Sequence, residues 1–262
     1  MNKDVEILLK EDKHDFSSLV RIMALLRSEN GCPWDKEQTH ESIRANMIEE
    51  TYEVIEAIDN QDPVLLREEL GDALLQIVFH ARISEESNEF SINDVIHDIC
   101  AKLIHRHPHI FANVQADTSD EVLSNWEAIK TEEKQRVGLT GTLDSIPPAL
   151  PALMRAQKMV KKSVKAGVDP AINSVTDGLA SSVSQLSAAL VEENADSAAE
   201  HLGHALWQLA TVAQKCGLDA EKLLSDRCVN YVNEVKNVEN TCADQPSFSE
   251  KDKETLIDKN FY

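Results

Sequence analysis

Apolar positions along this chain recur with helical spacing from near one end to the other, and strand-like alternation is scarce. The pattern predicts helices near 16–28, 40–60, 63–86, 92–106 and 119–136. A second set is predicted near 149–165, 175–193, 195–215 and 218–238. Asp62-Pro63 interrupts the second and third of these, because proline is tolerated in a helix's first turn but not in its interior. So short a break predicts antiparallel neighbours. The stretch 137–148, with two glycines and two prolines, reads as the linker between domains 1–140 and 141–262. Past about residue 240 the chain turns polar and is expected to fray, with a short helix near 249–259. The fold class is all-α.

The second half repeats the pattern of the first. Leu70-Gly71-Asp72-Ala73-Leu74-Leu75-Gln76-Ile77 matches Leu202-Gly203-His204-Ala205-Leu206-Trp207-Gln208-Leu209, an offset of 132. The same step, without gaps, carries Val54 to Leu186 and Ile58 to Leu190. It also carries Glu49, Glu50 and Glu53 to Ser181, Ser182 and Gln185, and Glu69 and Asp72 to His201 and His204. The apolar pattern survives the step and every one of these acidic positions is replaced.

Those acidic positions carry the candidate chemistry. Residues three apart on a helix lie about 60° apart on one face, so Glu50 projects with Glu53 and Glu69 with Asp72. Their neighbours Ile48, Tyr52, Val54, Ile55, Ile58, Leu66, Leu70, Leu74, Leu75, Ile77 and Val78 read as core-facing. Carboxylates beside an apolar face are costly unless a cation compensates them, and a hard divalent metal with oxygen ligands is the natural one. A solvated acidic helix face is the plain alternative. Glu49, about 100° round the helix from Glu50, is the candidate for activating a water; otherwise it is a solvent-facing glutamate. Trp34, in a Pro-Trp-Asp loop, offers a stacking face for a nucleobase or a plug for the domain's edge. Lys36 beside it is a weaker phosphate candidate.

Composition narrows the partners. The chain has 262 residues, 27% charged and 42% hydrophobic, with a net charge of −20. That charge argues against nucleic-acid polymers and against anionic membranes. Five scattered cysteines without a Cys-x-x-Cys pair suit free thiols in a reducing compartment. No apolar leader or membrane-length stretch stands out, so the expectation is a cytoplasmic protein.

Glu49-Glu50-x-x-Glu53 followed by Glu69-x-x-Asp72 is similar to the signature of the all-α nucleoside triphosphate pyrophosphohydrolases. More closely, the segment from Asn30 to Thr39 (NGCPWDKEQT) resembles the leader of the MazG proteins. So do Arg106-His107-Pro108-His109-Ile110-Phe111, Asn125-Trp126-Glu127-Ala128-Ile129-Lys130 and the block from Leu150 to Lys158. With the internal repeat, this suggests two tandem MazG-like helical repeats with four-helix-bundle-like cores; each repeat contributes too few helices to bury a helical face on both sides, so a homodimer is expected to complete them. The resemblance implies hydrolysis of a nucleoside triphosphate, NTP or dNTP, to the monophosphate and pyrophosphate. Glu50, Glu53, Glu69 and Asp72 would hold Mg²⁺, with Mn²⁺ able to substitute. The family places basic phosphate contacts where Lys102 and Arg106 stand, an i, i+4 pair that otherwise reads as a surface pair. Only the first repeat keeps the acidic signature, and the counterparts of the basic pair are Arg227 and Tyr231.

Two other readings compete. A non-catalytic regulatory or interaction protein could retain the acidic cluster from an enzymatic ancestor. A di-iron carboxylate bundle would need Glu-x-x-His, which these helices lack. His105, His107 and His109 surround Pro108 at a helix end, where capping and packing are expected. His201 and His204 face Ser182 and Gln185, poor partners for a metal, and read as a vestigial site.

Overall fold

In the computed structural model, residues 3–116, 118–133, 138–241 and 256–257 are described. They contain thirteen helices and no strand. The chain divides into two compact units, Met1–Lys130 and Thr131–Tyr262.

The first unit runs through α1 (Lys3–Lys10), α2 (Phe16–Leu26), α3 (Pro33–Glu37), α4 (Arg44–Asp59), α5 (Pro63–Glu86), α6 (Ile92–Arg106), α7 (Pro108–Phe111) and all but the last three residues of α8 (Ser119–Glu133). The hairpin of α4 and α5 is its frame, with α2 and α6 packed on α5. Met23, Ile43, Val78 and Phe79 form the buried core, joined by Leu19, Val20, Leu75, Ile83 and Ile92. The second unit contains α9 (Gly138–Asp144), α10 (Ala152–Lys165), α11 (Ile172–Val191), α12 (Ala195–Lys215) and α13 (Ala220–Thr241). Here α11 and α12 make the hairpin, and α10 and α13 pack on α12. Ala189 on α11 and Ala205, Ala210 and Ala213 on α12 are buried.

The turn of each hairpin repeats at the offset found in the sequence. Gln61 adopts φ 54° and Glu193 φ 55°. The amide of Asp62 donates to Ala57 O (3.0 Å) and that of Asn194 to Ala189 O (2.9 Å). Asp62 then caps α5 through Val64 N and Leu65 N, and Asn194 caps α12 through Ser197 N. Both hairpins close by satisfying the same exposed helix-end groups.

Three features differ from the sequence reading. The expected linker 137–148 contains α9, which packs on α10 and is followed by the buried Ile146. Apolar packing there overrides the low helix propensity of Gly138 and Gly141. Helices α1, α3 and α7 are too short for the periodicity to reveal. Of the residues read as core-facing, Ile48, Tyr52, Ile55, Ile58, Leu70, Leu74 and Ile77 are exposed. A two-helix hairpin has two apolar faces, and α2 and α6 do not cover all of both. The tail helix expected near 249–259 lies outside the described residues except at 256–257.

The leader is held by an arginine. Arg27 follows α2 and is buried, 6% exposed at its side chain. It pairs with Glu86 on α5 (2.8 Å), donates to the carbonyls of Asp35 and Gln38, and lies over the Phe79 ring. Burial alone would raise the Glu86 pKa, but hydrogen bonds from Arg27 and Arg82 hold it below the usual carboxylate value. Gly31 completes the bend: a Cβ there would sit 2.1 Å from Leu26 O. Arg27→Met should therefore cost about 3 kcal/mol in chemical denaturation at neutral pH, the scale of breaking a buried ion pair. That loss should shrink in acid, because a carboxyl with a lowered folded pKa stabilises above its unfolded value and ceases to as it protonates. A loss below about 0.5 kcal/mol, the scale of an ordinary surface change, would refute the clamp.

Candidate functional site

The cap at Asp62 and the left-handed Gln61 set α5 antiparallel to α4, and this brings the two acidic steps together. Glu50, Glu69 and Asp72 each offer an oxygen, and these oxygens lie within 4.8 Å of one another. Among the described residues no other three His, Cys, Asp or Glu side chains meet in this way. Glu69 is buried, at 9% exposure, while Glu50 is half-buried. The Glu50 pKa is raised above the usual glutamate value by burial, then by the charges of Asp72 and Glu53 and a hydrogen bond with Glu53. The Glu69 pKa is raised by burial and by the charges of Glu53, Glu68 and Asp72. Glu53 itself is exposed and stands outside the tight trio, in hydrogen-bonding position to both Glu50 and Glu69.

Among the described residues no lysine or arginine forms an ion pair with any of these four carboxylates. The donor set is all oxygen, anionic, partly desolvated and uncompensated by protein cations. That chemistry fits a hard divalent cation such as Mg²⁺ or Mn²⁺ and does not suit a soft metal.

The other predicted residues are placed as follows. Glu49 is exposed on α4, beside the trio and not part of it. Trp34 is 58% exposed on α3, so it does not plug the domain's edge. Lys36 donates through Nζ to Glu29 O (2.7 Å). Lys102 is exposed on α6, whereas Arg106 is buried with its guanidinium 5.4 Å from the centre of the Trp126 ring. Arg106 is thus packed as part of the fold, and the two residues of the basic pair have different surroundings. His107 caps α6, its Nδ1 hydrogen-bonded to Leu103 O (2.6 Å), in line with the capping reading. In the second unit Gln185 donates to Ser181 Oγ (3.0 Å), and His201 and His204 join no metal-like group.

The model of the MazG nucleotide pyrophosphohydrolase domain matches residues 38–111, which hold α4, α5, α6 and α7. Beyond that span, the nucleoside triphosphate pyrophosphohydrolase of Escherichia coli strain K12 is 40% identical over 231 residues, 86% of this chain and 87% of that protein. The chain belongs to the MazG family. A MazG protein of Thermotoga maritima, named nucleoside triphosphate pyrophosphohydrolase/pyrophosphatase, is 36% identical over 232 residues, 88% of each chain. The Bacillus subtilis protein YabN is 49% identical over 156 residues, 58% of this chain and 32% of its own length.

This MazG chain also holds two polar features that sequence reasoning missed. His40 and His80 stack with ring centroids 5.1 Å apart, their Nδ1 atoms 2.8 Å apart, and His40 Nε2 meets the Oγ of buried Ser84 (3.1 Å). One Nδ1 must donate and the other accept, so the pair shares a single proton there. Burial and then the neighbouring His40 lower the His80 pKa. Its one sequence signal is the i, i+4 spacing of His80 and Ser84; nothing local points to His40. Gln76, one turn past Asp72, buries an Oε1 with no partner, and so does Gln208 at the same repeat position. Because the acid-free repeat shares this orphan, it goes with the hairpin and not with the carboxylates.

The raised carboxyls set the pH response of the metal-free protein. In the folded state Glu50 and Glu69 keep protons that the unfolded chain has released. Stability therefore falls as pH rises from 4.5, their ordinary value, through the raised folded values. The thermal midpoint in EDTA should fall across that window more in wild type than in Glu50→Gln/Glu69→Gln. Above it, Mg²⁺ should raise the midpoint of wild type alone. Equal pH profiles for the two proteins would refute the raised carboxyls.

Proposed function

We propose that this protein hydrolyses nucleoside triphosphates, NTP or dNTP, to the monophosphate and pyrophosphate at the site on α4 and α5. The observation that carries this reading is the convergence of Glu50, Glu69 and Asp72 without a cationic protein partner. Family membership supports it, since the full-length relatives are named for that activity. Glu50, Glu69 and Asp72, with Glu53 at the rim, would hold Mg²⁺, for which Mn²⁺ can stand in. The bound cation would supply charge neutralisation for the triphosphate and acidify a coordinated water.

The chain's own groups have separate tasks. Glu49, on the exposed side of the trio, orients the attacking water and takes its proton. The water oxygen bonds to the α-phosphorus as the bond to the α–β bridging oxygen breaks, and that oxygen leaves with pyrophosphate. Lys102 offers a mobile cation to phosphate from the adjoining α6. Arg106 would act at closer quarters from its packed position, and Lys36 is held nearer the leader loop. The exposed face of Trp34 suits base stacking without selecting a particular base.

The second repeat keeps the hairpin and lacks the carboxylates, which makes the N-terminal site the working one and the C-terminal unit structural with respect to this reaction. The same loss also favours, as a second reading, a non-catalytic regulatory protein derived from such an enzyme. The exposed apolar row on α4 and α5 supports a homodimer, in which a second copy covers Tyr52, Ile55, Leu70 and Leu74. Among the described residues no helix is long and apolar enough to cross a membrane, and four free cysteines fit a reducing cytoplasm.

Purified protein with Mg²⁺ should release pyrophosphate from a panel of NTPs, dNTPs and modified nucleotides. Glu50→Gln should lower kcat/KM on the order of 10²–10³-fold, the scale of losing one charge-stabilising group. Release of orthophosphate alone would defeat the assigned reaction; no turnover, with Mg²⁺ binding retained by calorimetry, would favour the regulatory reading. Light scattering should give a dimer for wild type and a monomer for Tyr52→Lys/Leu74→Lys. A monomeric wild type would rule out the assembly.

A further inference from the structure

The leader between α2 and α4, residues 27–43, is fastened to α5 at two places. At its start Arg27 pairs with Glu86 and donates to the carbonyls of Asp35 and Gln38. Near its end His40 meets His80 through Nδ1 (2.8 Å) and the buried Ser84 through Nε2 (3.1 Å). The stretch between is braced internally. Gln38 Nε2 donates to Trp34 O (2.9 Å), Ser42 Oγ donates to Gln38 Oε1 (2.7 Å), and Thr39 N donates to Ser42 Oγ (2.9 Å). A chain of hydrogen bonds thus runs from the residues flanking His40 back to Trp34, whose ring is exposed.

The second fastening stands on the carboxylate side of α5. His80 shares the direction of Glu69 about the helix axis to within about 20°, and lies roughly three turns, or 16 Å, further along. An extended nucleoside triphosphate spans such a distance.

The rings of His40 and His80 are parallel within 4°, with centroids 5.1 Å apart. Since their Nδ1 atoms are 2.8 Å apart, the offset lies in the ring plane and the rings meet through their edges. This bond survives one added proton and not two. With both rings neutral, or one an imidazolium, one Nδ1 donates and the other accepts. With both charged, two N–H groups face each other across 2.8 Å and the contact breaks.

Burial and then His40 are the influences on His80, and both lower its pKa. Among the described residues neither α2 nor α6 adds a charge there. Glu41 adjoins His40 and has Arg44 beside it, and on α5 Arg82 and Glu86 pair with each other, as Glu86 does with Arg27. A proton on His80 therefore has no carboxylate to offset it. The fastening is complete above 6.5, the ordinary histidine value, and is lost as pH falls through the lowered value.

We infer that His40 is a positioning residue for substrate: clasped to His80 and Ser84, it fixes the leader so that Trp34 presents its ring to the nucleobase. The inference rests on the reading of the α4–α5 site as a nucleoside triphosphate pyrophosphohydrolase. His40 stands outside the carboxylate trio and acts through Trp34, on binding of the base.

The test compares GTP and dTTP with methyl triphosphate, which has the same scissile bond and no base, at saturating Mg²⁺. His40→Ala should raise KM for both nucleotides about tenfold, the scale of one base-stacking contact, with little change in kcat or in methyl triphosphate hydrolysis. Trp34→Ala should raise the nucleotide KM to the same degree. The double variant should lose no more than either alone, because both remove one interaction. In the wild type the ratio of nucleotide KM to methyl triphosphate KM should rise as pH falls below 6.5. His40→Asn, whose amide can donate to His80 or accept from it, should keep the neutral-pH KM and abolish that rise. An equal loss of kcat on all three substrates, additive losses from Trp34 and His40, or an acid rise retained in His40→Asn overturns the inference. If His40→Ala does not fold, the wild-type pH profile and His40→Asn decide in the same way. Pyrophosphate from none of the three substrates defeats the pyrophosphohydrolase reading and the inference with it, whereas release with a KM indifferent to His40 defeats the inference alone.

Discussion

Electrostatic repulsion among Glu50, Glu69 and Asp72 is the constraint that gives the first unit its organisation. Like charges this close oppose folding unless burial elsewhere holds the helices together, and burial first, then the neighbouring carboxylates, raises the pKa values of Glu50 and Glu69. The α4–α5 hairpin supplies the opposing rigidity. Its turn is fixed by a left-handed residue and a capped helix start, and Val78 and Phe79 of α5 are buried in one cluster with Met23 and Ile43. A site preorganised in this way spends folding stability to hold charge that a bound cation then offsets.

The duplicated hairpin serves as an internal control. At an offset of 132 the same turn, the same cap and the same orphaned glutamine recur, while serine, glutamine and histidine replace the acids. The fold therefore does not require carboxylates at these positions, and their presence in the first repeat is a cost without a packing return. The connections ahead of the two hairpins also differ: residues 27–43 contain α3, whereas residues 166–171 form no helix.

Much of the architecture was legible in the chain. The long helices α4, α5, α6, α11 and α12 follow from apolar period, and the antiparallel pairing of α4 with α5 follows from Asp62-Pro63. What escaped was either short or non-local. Helices α1, α3 and α7 offer too few turns for a period. Helix α9 forms inside a glycine-bearing stretch because it has α10 to pack on. The clamp of Arg27 on Glu86 spans 59 positions and the His40–His80 contact spans 40, with no local pattern to announce either. The apolar row on α4 and α5 misled in the opposite direction, since periodicity identifies an apolar face without saying what covers it.

By itself the sequence determined the helical class, the duplication and which carboxylates share a helix face, because these depend on residue type and on spacing within a few turns. Tertiary structure decided which of those carboxylates meet. It drew Glu50, Glu69 and Asp72 together, left Glu53 at the rim and Glu49 outside, and separated Arg106 from Lys102 by burying one and exposing the other. Spacing along one helix sets direction about its axis, but distance between helices comes only from how their turns and cores pack.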